Sequence, residues 1–295
     1  MSSARERVQQ VGPTLDLPTV ESVGRALVHA SVVDAAVGAA KVLTVVLLLE
    51  IPLTPAVAVG GLSTFAIYAS NKLVDDEDAV NAPERAQFVA RYRRELTVAT
   101  AGAVALALAL SATAGPLAFA LTALPGVAAV AYSVDLPLVE RRLKDVLGVS
   151  TLLVAGSWAL PVVALPVVWV DATFTATAGI TFAFYLAQTA VAFEVRNVRD
   201  VAGDRAEGVD TVPVVFGVPT TRRLLYAVDV AAIGLYAAGT AAGVLPVAVG
   251  AVFAFATVVS IGVTASVDRG YDDARICLLR DANYGLVLLV VALAG

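Results

Sequence analysis

Runs of about twenty apolar residues recur along this chain, separated by short polar segments. That alternation predicts a bundle of membrane-crossing helices. Nine runs can be read. The first lies near Leu27–Leu49 and stops before Pro52. The second starts at Pro55 and stays apolar to Ser70. The third covers Leu96–Ala114, and Gly115-Pro116 separates it from the fourth, which ends near Tyr132. The fifth spans Val146–Val168 and is interrupted by Pro161 and Pro166. The sixth starts near Thr173 and runs into a polar, acidic segment. The last three are Leu224–Ala242, Pro246–Val267 and Ile276–Ala294. Met1 to Leu17 is polar and has no apolar run, so no cleavable signal is expected there. The expected fold is all-α: a polytopic bundle forming one transmembrane domain over residues 1–295, with residues 1–20 as a polar tail.

The cations support this parsing. Arg85, Arg91, Arg93 and Arg94 fall between the second and third runs. Arg141, Arg142 and Lys144 fall between the fourth and fifth, and Arg196, Arg199, Arg205, Arg222 and Arg223 around the sixth-to-seventh connection. Arg269, Arg275 and Arg280 surround the eighth-to-ninth connection. The loops after runs one, three, five and seven contain no Lys or Arg. The positive-inside rule puts every basic loop, and the N-terminus with Arg5, Arg7 and Arg25, in the cytoplasm of a cell-membrane protein.

Composition narrows the class. The chain is 59% hydrophobic and 15% charged; the charged share is well below the quarter or so usual in soluble domains. The mean hydropathy of +0.83 agrees. The single cysteine, Cys277, excludes an intrachain disulfide and reads as a small apolar helix residue. The net charge of −5 gives no sign of a nucleic-acid partner.

Two acidic segments carry the candidate chemistry. In N-K-L-V-D-D-E-D, Asn71, Asp75 and Asp78 are spaced i, i+4, i+7 and share a helical face. In R-N-V-R-D-V-A-G-D, Asp200 and Asp204 are i, i+4, with Asn197 a turn earlier. Both close an even-numbered run, so both lie on the cytoplasmic side. Carboxylates at the end of a membrane span are costly and are functional by default. Hard oxygen donors in this number suit Mg²⁺, which commonly also holds phosphate oxygens. Four carboxylates can hold two Mg²⁺ ions, and neighbouring cations can hold phosphate oxygens. A diphosphate site at the mouth of an apolar cavity follows, and an isoprenyl diphosphate fits it. The candidate metal ligands are Asn71, Asp75, Asp78, Asp200 and Asp204, the four aspartates being catalytic. Asn71, Lys72, Asn197 and Arg199 are candidate substrate contacts.

Other polar residues have plainer readings. Asp76 and Glu77 lie off the shared face and read as solvated. His29 reads as a packing residue. Asp34 and Lys41, seven apart in the first run, either pair through intervening groups or face the cavity. Glu194 either lines an acceptor pocket or pairs with Arg196. Tyr68 and Tyr132 read as cavity-wall aromatics or interfacial anchors. Gly and Pro between Asp200 and Pro219 read as a structured loop, with Pro213 and Pro219 ending the sixth helix and the loop covering the diphosphate.

These residues resemble the UbiA superfamily of intramembrane prenyltransferases. Its second motif, D-x-x-G-D-x-x-x-G-x-x-T-L-P, is matched by Asp200, Gly203, Asp204, Gly208, Thr211 and Pro213, with Val212 for Leu. Its first, N-D-x-x-D-x-x-x-D, is matched at Asn71 and Asp75. Lys72 replaces an aspartate, and Asp78 arrives one residue early, with Asn81 and Pro83 keeping their distance from it. Tyr132-Ser133 followed by Arg141, Arg142 and Lys144 is similar to the family's fourth-to-fifth connection, which implies Tyr132, Arg142 and Lys144 as substrate contacts. The resemblance implies nine helices around a central apolar cavity. It also implies Mg²⁺ as cofactor and transfer of a prenyl group from its diphosphate to a lipophilic or aromatic acceptor. The acceptors it allows include aromatic acids, prenylated glycerol phosphates and carotenoids. A same-fold terpene cyclase, a non-catalytic prenyl-lipid-binding paralogue and a transporter are the competing readings. Membrane lipids are the other expected contact, and the oligomeric state is open.

Overall fold

The computed structural model describes residues 20–74, 83–133, 146–269 and 273–294. Among them every regular element is helical. In chain order these are α1 (Val20–His29), α2 (Val32–Leu48), α3 (Ala56–Val74), α4 (Pro83–Arg91), α5 (Arg93–Ala112) and α6 (Pro116–Ser133). They are followed by α7 (Val149–Trp169), α8 (Ala176–Glu207), α9 (Val212–Phe216), α10 (Val218–Ala241), α11 (Val247–Ser266) and α12 (Asp273–Ala294).

Five of these helices, α5, α7, α8, α10 and α11, are long and apolar enough to cross a bilayer. A sixth candidate is the bent pair α1–α2, in which Val23–His29 and Val32–Leu48 meet at 70°. The bend is set at Ser31, which is fully buried and adopts a left-handed φ of 61°. Large apolar side chains such as Val98, Val130, Val230 and Leu293 face outward. A lipid-facing surface accounts for that, since in water such a surface would be an association patch.

The long helices pack in a closed circuit: α2 on α3, α3 on α5, α5 on α6, α6 on α7, α7 on α8, α8 on α10, α10 on α11, α11 on α12, and α12 back on α2. The α2–α3 contact is tight because small residues meet there, as expected where helices associate in lipid by close approach. A Cβ on Gly38 would lie 2.1 Å from Thr64 Oγ1, and one on Gly60 would lie 2.5 Å from Val42 Cγ2. On the opposite side, Phe184 of α8 stacks on Phe253 of α11 at 4.1 Å, with Tyr185 and Tyr236 edge-on around them. These aromatics fix α8 against α10 and α11.

Two expectations change. Pro161 and Pro166 do not interrupt the fifth run; they lie inside the continuous helix α7. In a buried membrane helix, neighbouring groups satisfy the carbonyls that proline leaves free. The sixth helix also ends differently. It continues through Asp200, Gly203 and Asp204 to Glu207, and Gly208 stops it in the left-handed conformation, φ 72°. A residue without Cβ adopts that angle at little cost. Pro213 then opens the short helix α9 rather than ending α8.

Candidate functional site

A cavity of about 500 Å³ lies inside the circuit, walled by α2, α3, α7, α8 and α12, with Arg85 of α4 at its edge. Part of its wall is apolar and aromatic, with Trp158, Val162, Tyr185 and Tyr284. The same wall carries charge: Lys41, Arg85, Arg196, Arg199 and Arg280 line it with Asp34 and Asp281.

The second acidic segment sits where α8 emerges. Because α8 is one unbroken helix, Asp200 and Asp204 project from one face a turn apart. Both Asp200 oxygens are held by Arg199, with Nε donating to Oδ1 at 2.7 Å and Nη2 to Oδ2 at 2.8 Å. The pair is half-exposed. Asp204 Oδ2 accepts a hydrogen bond from Thr211 Oγ1 at 3.1 Å, and the Asp204 carbonyl accepts from Val209 N–H at 2.9 Å. So the turn after Gly208 folds back and fixes the Asp204 carboxylate. Asn197 Nδ2 donates to Glu194 Oε2 at 3.2 Å, and the Thr151 hydroxyl of α7 donates to Glu194 Oε1. Glu194 is buried and ties α7 to α8 directly below the aspartates.

Across the cavity mouth, Asn71 is exposed on the last turns of α3. Lys72 turns inward. Its Nζ donates to Asp34 Oδ2 at 3.2 Å and to the Val28 carbonyl at 2.8 Å. It thus joins the end of α3 to both arms of the α1–α2 bend. His29, beside the bend, packs on Phe88 of α4 with ring centroids 5.7 Å apart. Asp75 and Asp78, the side chain of Tyr132, and Arg142 and Lys144 lie outside the described residues.

Among the described residues no group of three or more His, Cys, Asp or Glu side chains is placed to hold a metal ion. They supply one hard-oxygen pair, Asp200 and Asp204. Oxygen donors of this kind, with coordination left for water and phosphate, are the set Mg²⁺ takes. The donor chemistry therefore fits that ion.

Several site residues were not evident from sequence. Arg280 and Tyr284 belong to the last apolar run, where only the i, i+4 spacing signals a shared face. Asp34 and Lys41 both face the cavity, the second of the two arrangements the sequence allowed, but the partner of Asp34 is Lys72.

Fold and site together define a multi-pass helical membrane protein enclosing a cation-rich cavity with an acidic rim. The chain belongs to the UbiA prenyltransferase family, whose profile matches residues 27–280. Its fold is similar to that of a UbiA homologue from Archaeoglobus fulgidus bound to GPP and Mg²⁺. The TM-score is 0.66 at 15% identity, covering 92% of this chain and 99% of that one. It is also similar to the apo UbiA homologue from Aeropyrum pernix K1 (TM-score 0.64, 19% identity, 88% and 98% coverage). A digeranylgeranylglyceryl phosphate synthase shares the fold at TM-score 0.60 and 14% identity, over 93% and 98% of the two chains. No curated protein matches the sequence.

Proposed function

We propose that this protein is a Mg²⁺-dependent intramembrane prenyltransferase that moves an isoprenyl group from its diphosphate to a lipophilic or aromatic acceptor. The observation that carries the reading is the shared face of Asp200 and Asp204 at the C-terminal end of α8, together with a cavity whose wall is lined both by cations and by apolar and aromatic side chains. Asp75 and Asp78, with Asn71, are proposed as the facing ligand set. The A. fulgidus homologue, bound to GPP and Mg²⁺, supports the choice of substrate head and ion.

In this reading the bundle crosses the membrane nine times, at the nine apolar runs, with the acidic rim in the cytoplasm. Bound Mg²⁺ would neutralise the departing diphosphate. The protein's own residues do the rest. Asp204, braced by Thr211, and Asp200 hold the metal-binding face of α8 toward the cavity. Arg199 shields Asp200 until a ligand arrives and then contacts phosphate oxygens. Arg142 and Lys144 contact the same oxygens from the α6–α7 connection, with Tyr132 at the wall and Asn197 fixed by Glu194. Lys72, engaged by Asp34 and Val28, holds the α1–α2 bend beside the diphosphate. Trp158, Val162 and Tyr185 keep water from the allylic cation that forms as the C–O bond breaks. The acceptor nucleophile captures that cation and loses its proton.

Purified protein incubated with isotope-labelled prenyl diphosphate, Mg²⁺ and membrane lipid extract tests the reading. Label in an acceptor is the expected result. A cyclised hydrocarbon, or unchanged diphosphate, contradicts it.

A further inference from the structure

The geometry points to a second anion site, deeper than the acidic rim, in which Lys41 with Arg280 and Arg196 holds a negatively charged group on the acceptor. The acceptor class is then a lipophile bearing a carboxylate or phosphate, rather than an uncharged alcohol or a hydrocarbon. This rests on the prenyltransferase reading.

The charges around the cavity can be paired off. Asp34 is taken by Lys72 at 3.2 Å, and Arg199 by Asp200. Arg280 has Asp281 at 3.6 Å, and the fully buried Asp229 of α10 attracts it from behind. Arg85 and Arg196 have interactions of their own. Lys41, among the described residues, makes no ion pair. Its Nζ sits 3.9 Å from the centroid of the Tyr284 ring, on the cavity wall. Arg196 and Arg280 are near enough to repel it, and against them stand Tyr68 and a single carboxylate, Asp281. An ammonium among other cations inside a membrane protein is costly unless an anion joins it. A ring face supplies only part of that compensation. Arg280 gives a second, independent sign: it is 5% exposed and its Nε has no hydrogen-bond partner. Donors on α2 and α12 are thus both incompletely satisfied at the same wall.

Depth separates this site from the rim. Lys41 is seven residues beyond Asp34 along α2, a rise of about 10 Å. The carbonyl of Lys41 accepts from Tyr185 Oη at 3.2 Å, and Tyr185 lies fifteen residues before Asp200 on α8, about 22 Å along the axis. A diphosphate held at Asp200 and Asp204 therefore leaves Lys41 to another anion. Arg196, one turn from Asp200, lies between the two levels.

The test uses purified protein in nanodiscs with Mg²⁺ and a saturating non-hydrolysable prenyl diphosphate analogue. Two matched pairs of probes are titrated: 4-hydroxybenzoate against 4-hydroxybenzamide, and a monoalkylglycerol phosphate against the same monoalkylglycerol. We expect the anionic member of one pair to bind at least about 30-fold more tightly, the scale of one charged hydrogen bond. Which pair shows the preference tells carboxylate from phosphate. Lys41→Met should erase the preference, Lys41→Arg should keep it, and the analogue's own affinity should change less than about threefold. Equal binding within both pairs, binding of no anionic probe, or a preference that survives Lys41→Met overturns the inference. So does an equal loss of analogue affinity in Lys41→Met, or loss of the preference in Lys41→Arg. Failure of the wild-type protein to bind the analogue at all would instead refute the prenyltransferase reading.

Discussion

Lys72 and Asp34, thirty-eight residues apart, form an ion pair at 3.2 Å that clips the end of α3 to the first turn of α2. The same ammonium caps α1 through the Val28 carbonyl at 2.8 Å. Neither side chain is more than 27% exposed, so water screens the pair only partly. The family motif has an aspartate at this position, which here would face Asp34. Lys72→Asp should therefore destabilise the protein by about 2–3 kcal/mol, and adding Asp34→Lys should restore most of the loss. Thermal unfolding of the four proteins in one detergent measures this. A double variant no more stable than Lys72→Asp would show that the pair does not hold the bend.

Gly38 is the tightest point of the α2–α3 contact. Gly38→Ala places a methyl group 2.1 Å from Thr64 Oγ1 and 2.8 Å from the Gly60 carbonyl. The helices must separate, at a cost of about 1–3 kcal/mol. Adding Thr64→Ala relieves the first clash but not the backbone one, so rescue should be partial. Unfolding midpoints of both variants provide the check, and full stability in Gly38→Ala would contradict the packing.

The Thr211 hydroxyl fixes Asp204 across the turn after α8. Thr211→Val keeps the side-chain shape and removes the donor, at about 1 kcal/mol. If Asp204 binds Mg²⁺, the apparent Mg²⁺ requirement should rise about fivefold while the maximal rate at saturating Mg²⁺ stays within a factor of two. A Mg²⁺ titration of activity measures both. An unchanged requirement would mean the hydroxyl does not position the carboxylate.

The apolar runs showed where most helices lie, because a span must satisfy its own backbone and so needs length and hydropathy more than tertiary detail. The face shared by Asp200 and Asp204 was legible for the same reason: helical spacing alone sets it. Where local chemistry is overridden, the sequence misled. Pro161 and Pro166 read as breaks because their isolated propensity is to break helices, yet α7 continues through them. The partner of Asp34 was hidden because ion pairing across helices depends on how the bundle closes. The buried Asp229 and the cavity positions of Arg280 and Lys41 were hidden for that reason too.

The proposed topology rests on the arginine distribution and can be tested chemically. Asp171 and Asp210 are both exposed and lie at opposite ends of α8. In intact cells, Asp171→Cys in a Cys277→Ser background should react with a membrane-impermeant thiol reagent, and Asp210→Cys should react only after lysis. The reverse pattern would place the acidic rim outside.

The central claim is that Asp200 and Asp204 form half of a Mg²⁺-dependent diphosphate site. Titration of a non-hydrolysable prenyl diphosphate analogue, with and without Mg²⁺, against wild-type, Asp200→Ala and Asp204→Ala proteins tests it most directly. The account predicts Mg²⁺-dependent binding to the wild type and a loss of about 3 kcal/mol, roughly 150-fold, in each variant. Folding should be retained in both variants, as judged by their unfolding midpoints. Equal affinity in all three proteins, or binding indifferent to Mg²⁺, would contradict it.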